Sequence, residues 1–138
     1  MNILLVEPRT PETFWSLRHA LRFVGRRAAN PPLGLLTLAG LLPRHWSFRL
    51  VDQNTSELAD SDIAWADYVL VSAMVIHREE VVKLGERCRK LETPLIGGGP
   101  LFRNDRDEAL GVGHMVVGEA EELAGQLAKD MIRRKVQP

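Results

Sequence analysis

Short, uniformly apolar runs alternate along this chain with longer stretches in which apolar residues recur at helical spacing. Ile3-Leu4-Leu5-Val6 is the first such run. A strand buried on both faces of a parallel sheet requires one. Glu7-Pro8 stops it, because proline cannot donate to a ladder. Phe14, Leu17, Leu21 and Val24 then recur at helical spacing and predict a helix over residues 13–23. Thr13 caps it, or Thr10 does with Pro11 and Glu12 behind it. Asn30-Pro31-Pro32 is a break, and residues 33–42 form a strongly apolar second helix ended by Pro43. Phe48-Arg49-Leu50-Val51 is the next strand. Its charge places it near a sheet edge, and Asp52-Gln53-Asn54 closes it.

Residues 60–65 read as a short helix, followed by a second fully apolar strand, Tyr68-Val69-Leu70-Val71, ending at Ser72. Residues 79–91 form the clearest helix, with Val81, Leu84, Cys88 and Leu91 in one stripe among charges. Pro94-Leu95-Ile96 is a short strand running into Gly97-Gly98-Gly99-Pro100, and residues 105–110 predict a brief helical turn. His114-Met115-Val116-Val117 is the last strand. Residues 119–133 are the last helix, whose end carries Arg133, Arg134 and Lys135 as suits a helix C-terminus. Strand and helix alternate to five strands. That order predicts an α/β fold: a doubly wound five-stranded parallel sheet with helices on both faces. The expected strand order is the flavodoxin-like, Rossmann-like 2-1-3-4-5. The 138 residues suit one domain, expected over 1–134, with 135–138 as a linker or the end of an expressed fragment.

Composition narrows the function more than the fold. Lys+Arg and Asp+Glu both number 18, so net charge argues for neither nucleic acid nor an anionic membrane. Cys88 is the single cysteine, which excludes an intramolecular disulfide or a thiolate cluster within the chain. Its place in a helical apolar stripe makes it a core thiol rather than a nucleophile. No apolar run approaches membrane-spanning length. The first residues lack the basic flank of a signal peptide. The expectation is a soluble, cytoplasmic protein.

Ligands of doubly wound sheets bind beyond the carboxyl ends of the strands. Those ends carry Glu7-Pro8-Arg9-Thr10, Asp52-Gln53-Asn54, Ser72-Ala73-Met74, Gly97-Gly98-Gly99-Pro100 and Gly118-Glu119-Ala120-Glu121. A dinucleotide site needs Gly-x-Gly-x-x-Gly after the first strand, and that loop has no glycine. A flavin mononucleotide phosphate would find hydroxyls on Thr10 and Thr13, but Pro8 and Pro11 each remove an amide donor. A phosphoacceptor receiver needs aspartate where Ser72 stands. The glycines after the fourth strand permit close backbone approach, and their place beside Ser72 favours a ligand over an ordinary tight turn. His77 follows the third strand and could face the pocket, but a helix-start histidine facing solvent is the favoured reading. Glu119 and Glu121 fit the positive end of the last helix. No spacing suggests a metal site or a catalytic constellation.

In this order, the motifs resemble the N-terminal cobalamin-binding domain of cobalamin-dependent radical S-adenosylmethionine enzymes. The resemblance spans nearly the whole chain. It rests on Asn2-Ile3-Leu4-Leu5-Val6, on Pro31-Pro32-Leu33-Gly34-Leu35-Leu36-Thr37-Leu38-Ala39, and on Val51-Asp52-x-Asn54. It continues through Ala66-Asp67-Tyr68-Val69 with Ser72-Ala73-Met74, Gly97-Gly98-Gly99-Pro100, and Gly118-Glu119-Ala120-Glu121. Thr13-Phe14-Trp15-Ser16 is most similar to the branch containing hopanoid methylases. In cobalamin domains generally, Ser-x-Leu after the third strand and Gly-Gly after the fourth accommodate the dimethylbenzimidazole nucleotide tail. Ser72-Ala73-Met74 and Gly97-Gly98-Gly99 are similar in place, with methionine replacing leucine on an apolar wall.

The resemblance and the strand-end loops together make Glu7, Pro8, Arg9, Asp52, Asn54, Ser72, Ala73, Met74, Gly97, Gly98, Gly99, Pro100, Gly118 and Glu119 the expected cofactor-binding residues. None is expected to be catalytic or to ligate metal. Many cobalamin domains carry a cobalt-ligating histidine in Asp-x-His-x-x-Gly after the first strand. This chain has none there, which implies base-off cobalamin without that lower ligand. The radical enzymes hold an iron–sulfur cluster on Cys-x-x-x-Cys-x-x-Cys in a following domain. With Cys88 alone, this chain implies that the cluster and S-adenosylmethionine belong to a radical domain in cis or in trans. The expected role is to hold the cofactor of a methyltransferase, with no turnover by this chain alone. The alternatives are a cofactor-free interaction domain of the same fold and a small flavodoxin-like redox protein.

Overall fold

A computed structural model describes residues 1–11, 32–104 and 108–133. The helix expected over residues 13–23 and the expected linker over 135–138 lie outside them. The elements are β1 (Asn2–Glu7), α1 (Leu33–Leu41), β2 (Ser47–Asp52), α2 (Asp60–Trp65), β3 (Tyr68–Ser72), α3 (Arg78–Lys90), β4 (Leu95–Gly98), α4 (Leu101–Asn104), β5 (His114–Val116) and α5 (Ala120–Ile132). Two 3-10 turns, Val75–His77 and Glu108–Leu110, precede α3 and β5. The strands form one parallel sheet of order β2-β1-β3-β4-β5, the doubly wound arrangement expected from the alternation of elements.

Successive side chains of a strand point to opposite faces, and that alternation divides the core in two. Ile3, Leu5, Tyr68, Leu70 and Ile96 pack with Leu35 and Leu38 of α1 and with Ala124, Leu127 and Met131 of α5. Leu4, Val6, Val69, Val71 and Leu95 pack with Ile63 of α2, Val81 and Leu84 of α3, and Leu101 and Phe102 of α4. The buried Tyr68 hydroxyl donates to the carbonyl of Met131 at 3.0 Å, fastening α5 to the central strand. Cys88 lies in the second layer, and burial pushes its thiol up to about 12. That suits the core role read from its helical stripe and not a nucleophile.

β2 is an edge strand, which accommodates its charge. The Arg49 guanidinium lies 4.0 Å from the Trp65 ring centroid and 3.5 Å from Asp62. The one-turn helix α4 was not expected from the sequence, since four residues are too few to show a period. Its Leu101 and Phe102 are fully buried, and the Leu101 amide donates to the Ala73 carbonyl at 2.9 Å.

Gly85 shows how closely α3 approaches the second 3-10 turn. A Cβ there would stand 2.2 Å from the backbone oxygen of Leu110. Backbone cannot rotate away, so Gly85→Ala should destabilise the fold by about 1–3 kcal/mol, read from its urea denaturation midpoint.

Candidate functional site

A cleft of about 200 Å³ opens between α1, α5 and the carboxyl ends of β3, β4 and β5. Leu35, Leu38, Leu70, Ile96 and Val116 make its wall apolar, and Gly34, Ser72, Gly98, Gly99, Gly118, Glu119 and Glu121 stand around it. Strand parity explains this membership. Ser72 follows Leu70, and Gly98 follows Ile96, on the face covered by α1 and α5, and the two are register partners.

The three consecutive glycines therefore have three different surroundings. A Cβ on Gly97 would lie 2.6 Å from the Phe102 ring, on the opposite face of the sheet. A Cβ on Gly98 would meet nothing nearer than the Val116 carbonyl at 3.7 Å, so its absence widens the cleft. Gly99 has φ +95, and a Cβ there would lie 2.9 Å from the Ala73 carbonyl. Only glycine adopts that turn without strain. Gly34, on the facing helix, would bring a Cβ within 3.7 Å of Ser72 Oγ.

The fourteen residues expected from sequence fall into separate groups. Ser72, Gly98, Gly99, Gly118 and Glu119 line the cleft. Ala73 is buried, and its amide donates to the Gly98 carbonyl at 2.9 Å, so it ties two loops together. Met74 and Pro100 are exposed on the same rim, while Gly97 lies against Phe102 instead. Glu7, Arg9, Asp52 and Asn54 form a polar rim over β1 and β2, whereas Pro8 beside them is buried. Asp52 Oδ1 accepts the Asn54 amide at 2.8 Å and its side-chain nitrogen at 2.9 Å. Asn54 Nδ2 also donates to the Pro8 carbonyl at 3.2 Å, and Arg9 Nε donates to the Gln53 carbonyl at 3.4 Å.

Glu7 and Asp52 are register partners at the ends of their strands. Burial, with the neighbouring Asp52 carboxylate adding to it, pushes the half-buried Glu7 carboxyl up to about 7. His77 departs from expectation. It does not face solvent, being 2% exposed. The 3-10 turn folds its ring inward, where the Met74 amide and the Thr10 hydroxyl each lie 3.3 Å from a ring nitrogen. Burial lowers its pKa from the usual histidine value.

Sequence reasoning missed Gly34, Leu35, Leu38, Leu70, Val71, Ile96, Val116, Ala120 and Glu121 as site residues. Gly34 carried a signal, a glycine near the start of a helix otherwise rich in leucine. Among the described residues, no group of His, Cys, Asp and Glu could hold a metal ion. No helix among them is long and apolar enough to cross a membrane.

The sheet order and the cleft at the strand ends define a flavodoxin- and Rossmann-like α/β domain. No protein-family model matches the chain. It is 36% identical over 123 residues, 88% of its length, to an uncharacterized methyltransferase of Synechocystis sp., of which it covers 23%. It is 35% identical over 141 aligned positions, 99% of its length, to a hopanoid C-2 methylase of Rhodopseudomonas palustris, of which it covers 27%. The chain thus spans about a quarter of the length of these relatives.

Two outcomes test this geometry. Gly97→Ala should destabilise the chain by about 1–3 kcal/mol, because the Phe102 ring must move, whereas Gly98→Ala should change stability by under about 0.5 kcal/mol. Urea denaturation of both variants decides it. Glu7 binds its proton more tightly folded than unfolded, so its favourable contribution is complete below 4.5 and is lost as pH rises through about 7. Glu7→Gln should therefore gain stability over the parent between pH 5 and pH 8, by about 1–2 kcal/mol after discounting for partial exposure.

Proposed function

We propose that the chain binds cobalamin base-off, as the cofactor-holding domain of a radical S-adenosylmethionine methyltransferase. The observation that carries this reading is the opening left by Gly34 and Gly98 beside Ser72. It lies where the sequence resemblance implies the nucleotide tail. The residues fit such a group. Side chains at Gly34 and Gly98 would narrow the cleft, and the wall behind them is aliphatic. At about 200 Å³ the cleft is smaller than the about 300–1,000 Å³ of pockets that enclose a whole drug-sized ligand. It suits a flat aromatic ring and not a macrocycle, which would rest over the strand ends.

Leu35, Leu38, Leu70, Ile96 and Val116 would bury the ring, and the Ser72 hydroxyl would offer it a hydrogen bond. The rim of Arg9, Asp52 and Asn54 would face the polar periphery of the cofactor. The loop after β1 has no histidine to ligate cobalt. Bound there, cobalamin would supply the methyl group that the enzyme transfers. The iron–sulfur cluster and S-adenosylmethionine would belong to another domain, in cis or in trans. The relatives, about four times the length of this chain, leave room for one.

The test is retention of hydroxocobalamin through gel filtration, with a base-off absorption spectrum. A bound fraction absent after filtration would remove the reading and favour a cofactor-free domain. Copurifying flavin would favour a flavodoxin-like redox protein instead. Gly98→Val should abolish retention while the sheet stays folded, since its methyls enter the cleft. Ser72→Ala should weaken binding by roughly the ~1 kcal/mol of one hydrogen bond, about fivefold in Kd.

A further inference from the structure

One buried titratable side chain on the ligand edge takes no part in the cleft. His77 is 2% exposed and sits in the turn between β3 and α3. The Met74 amide donates to its Nδ1 at 3.3 Å, so that nitrogen holds a lone pair and no proton. In a neutral ring the proton is then on Nε2, which lies 3.3 Å from Thr10 Oγ1 and donates to it. The Thr10 amide in turn donates to Asn54 Oδ1 at 2.9 Å. Asn54 is held by Asp52 and reaches Pro8. Side-chain hydrogen bonds thereby connect the loops that follow β1, β2 and β3.

We propose that His77 is a positioning residue: as a neutral imidazole protonated on Nε2, it locks the loop after β1 to the turn after β3. This sets the height of Pro8, Arg9 and Thr10 against whatever lies on the strand ends. The proposal bears on cobalamin only through the function proposed above, whereas the lock itself belongs to the free chain. His77 is accordingly not a ligand to cobalt. Its Nδ1 lone pair already accepts from the Met74 amide, and moving the proton to expose Nε2 would set a ring N–H against that amide. Burial supports the neutral ring.

The arrangement can be read directly. In the 15N-labelled chain at neutral pH, long-range proton–nitrogen correlation should show His77 protonated on Nε2 and bare on Nδ1. Hydroxocobalamin should leave that pattern unchanged. Amide hydrogen exchange supplies the second measurement. His77→Leu should speed exchange at Met74 and Thr10 by about fivefold or more, with Val69 and Leu70 unaffected. His77→Gln, whose amide nitrogen reaches the place of Nε2, should restore protection at Thr10 but not at Met74. His77→Asn, whose oxygen takes the place of Nδ1, should do the reverse. A ring protonated on Nδ1, a charged ring, or unchanged exchange in His77→Leu overturns the lock. The wild-type spectrum distinguishes these tautomers even where a variant fails to fold. Cobalamin lost in gel filtration with the Nε2 tautomer present would instead overturn the function and uphold the lock.

Discussion

Burial of β1 and β3 on both faces is the constraint from which the remaining structure follows. Ile3 to Val6 and Tyr68 to Val71 are at most 5% exposed. Such strands need apolar side chains at every position and a helical layer on either side. α1 and α5 cover one face, while α2, α3 and α4 cover the other. Backbone donors and acceptors are consumed between parallel neighbours. Polar side chains therefore gather where these strands and the neighbouring β2 end, at Glu7, Ser72 and Asp52.

That edge has two halves of unlike chemistry. Over β3, β4 and β5 it is an apolar cleft, widened by the missing side chains of Gly34 and Gly98. Over β1 and β2 it is a rim whose polar groups largely satisfy one another through Asp52 and Asn54. The apolar wall of the first half suits an aromatic ring, with the Ser72 hydroxyl at its edge. The second is preorganised, with loops already fixed by their own hydrogen bonds, so a ligand resting there would not have to order them. A large ligand with a flat apolar end and an amide-rich body matches this division, as the proposed cobalamin does.

The relatives are longer than this chain. Similarity covers nearly all of this chain but only about a quarter of each methylase. In the function proposed above, this chain holds and presents the cofactor, and the reacting groups come from another domain. Cys88 is compatible with that proposal. Its thiol is buried in the α3 layer and pushed up to about 12, so it is unsuited to ligating a cluster or attacking a substrate.

Much of the fold was legible in sequence because its signals are local. The uninterrupted apolar runs identified the doubly buried strands, Arg49 marked the edge, and the stripe on α3 assigned Cys88 to the core. The loops of the ligand edge were legible too, since each follows a strand. Which residues of those loops face one another was not. Gly97 and Gly98 are identical in sequence, yet strand parity turns one toward Phe102 and the other into the cleft. Gly34 joins the site only because α1 packs across the end of β3. His77 looked solvent-facing, since the turn that buries its ring depends on Thr10, distant in sequence and adjacent only once β1 lies beside β3. Periodicity along the chain thus determined the elements and their order. Tertiary packing decided the site, because its contacts join residues far apart in sequence and no local period encodes them.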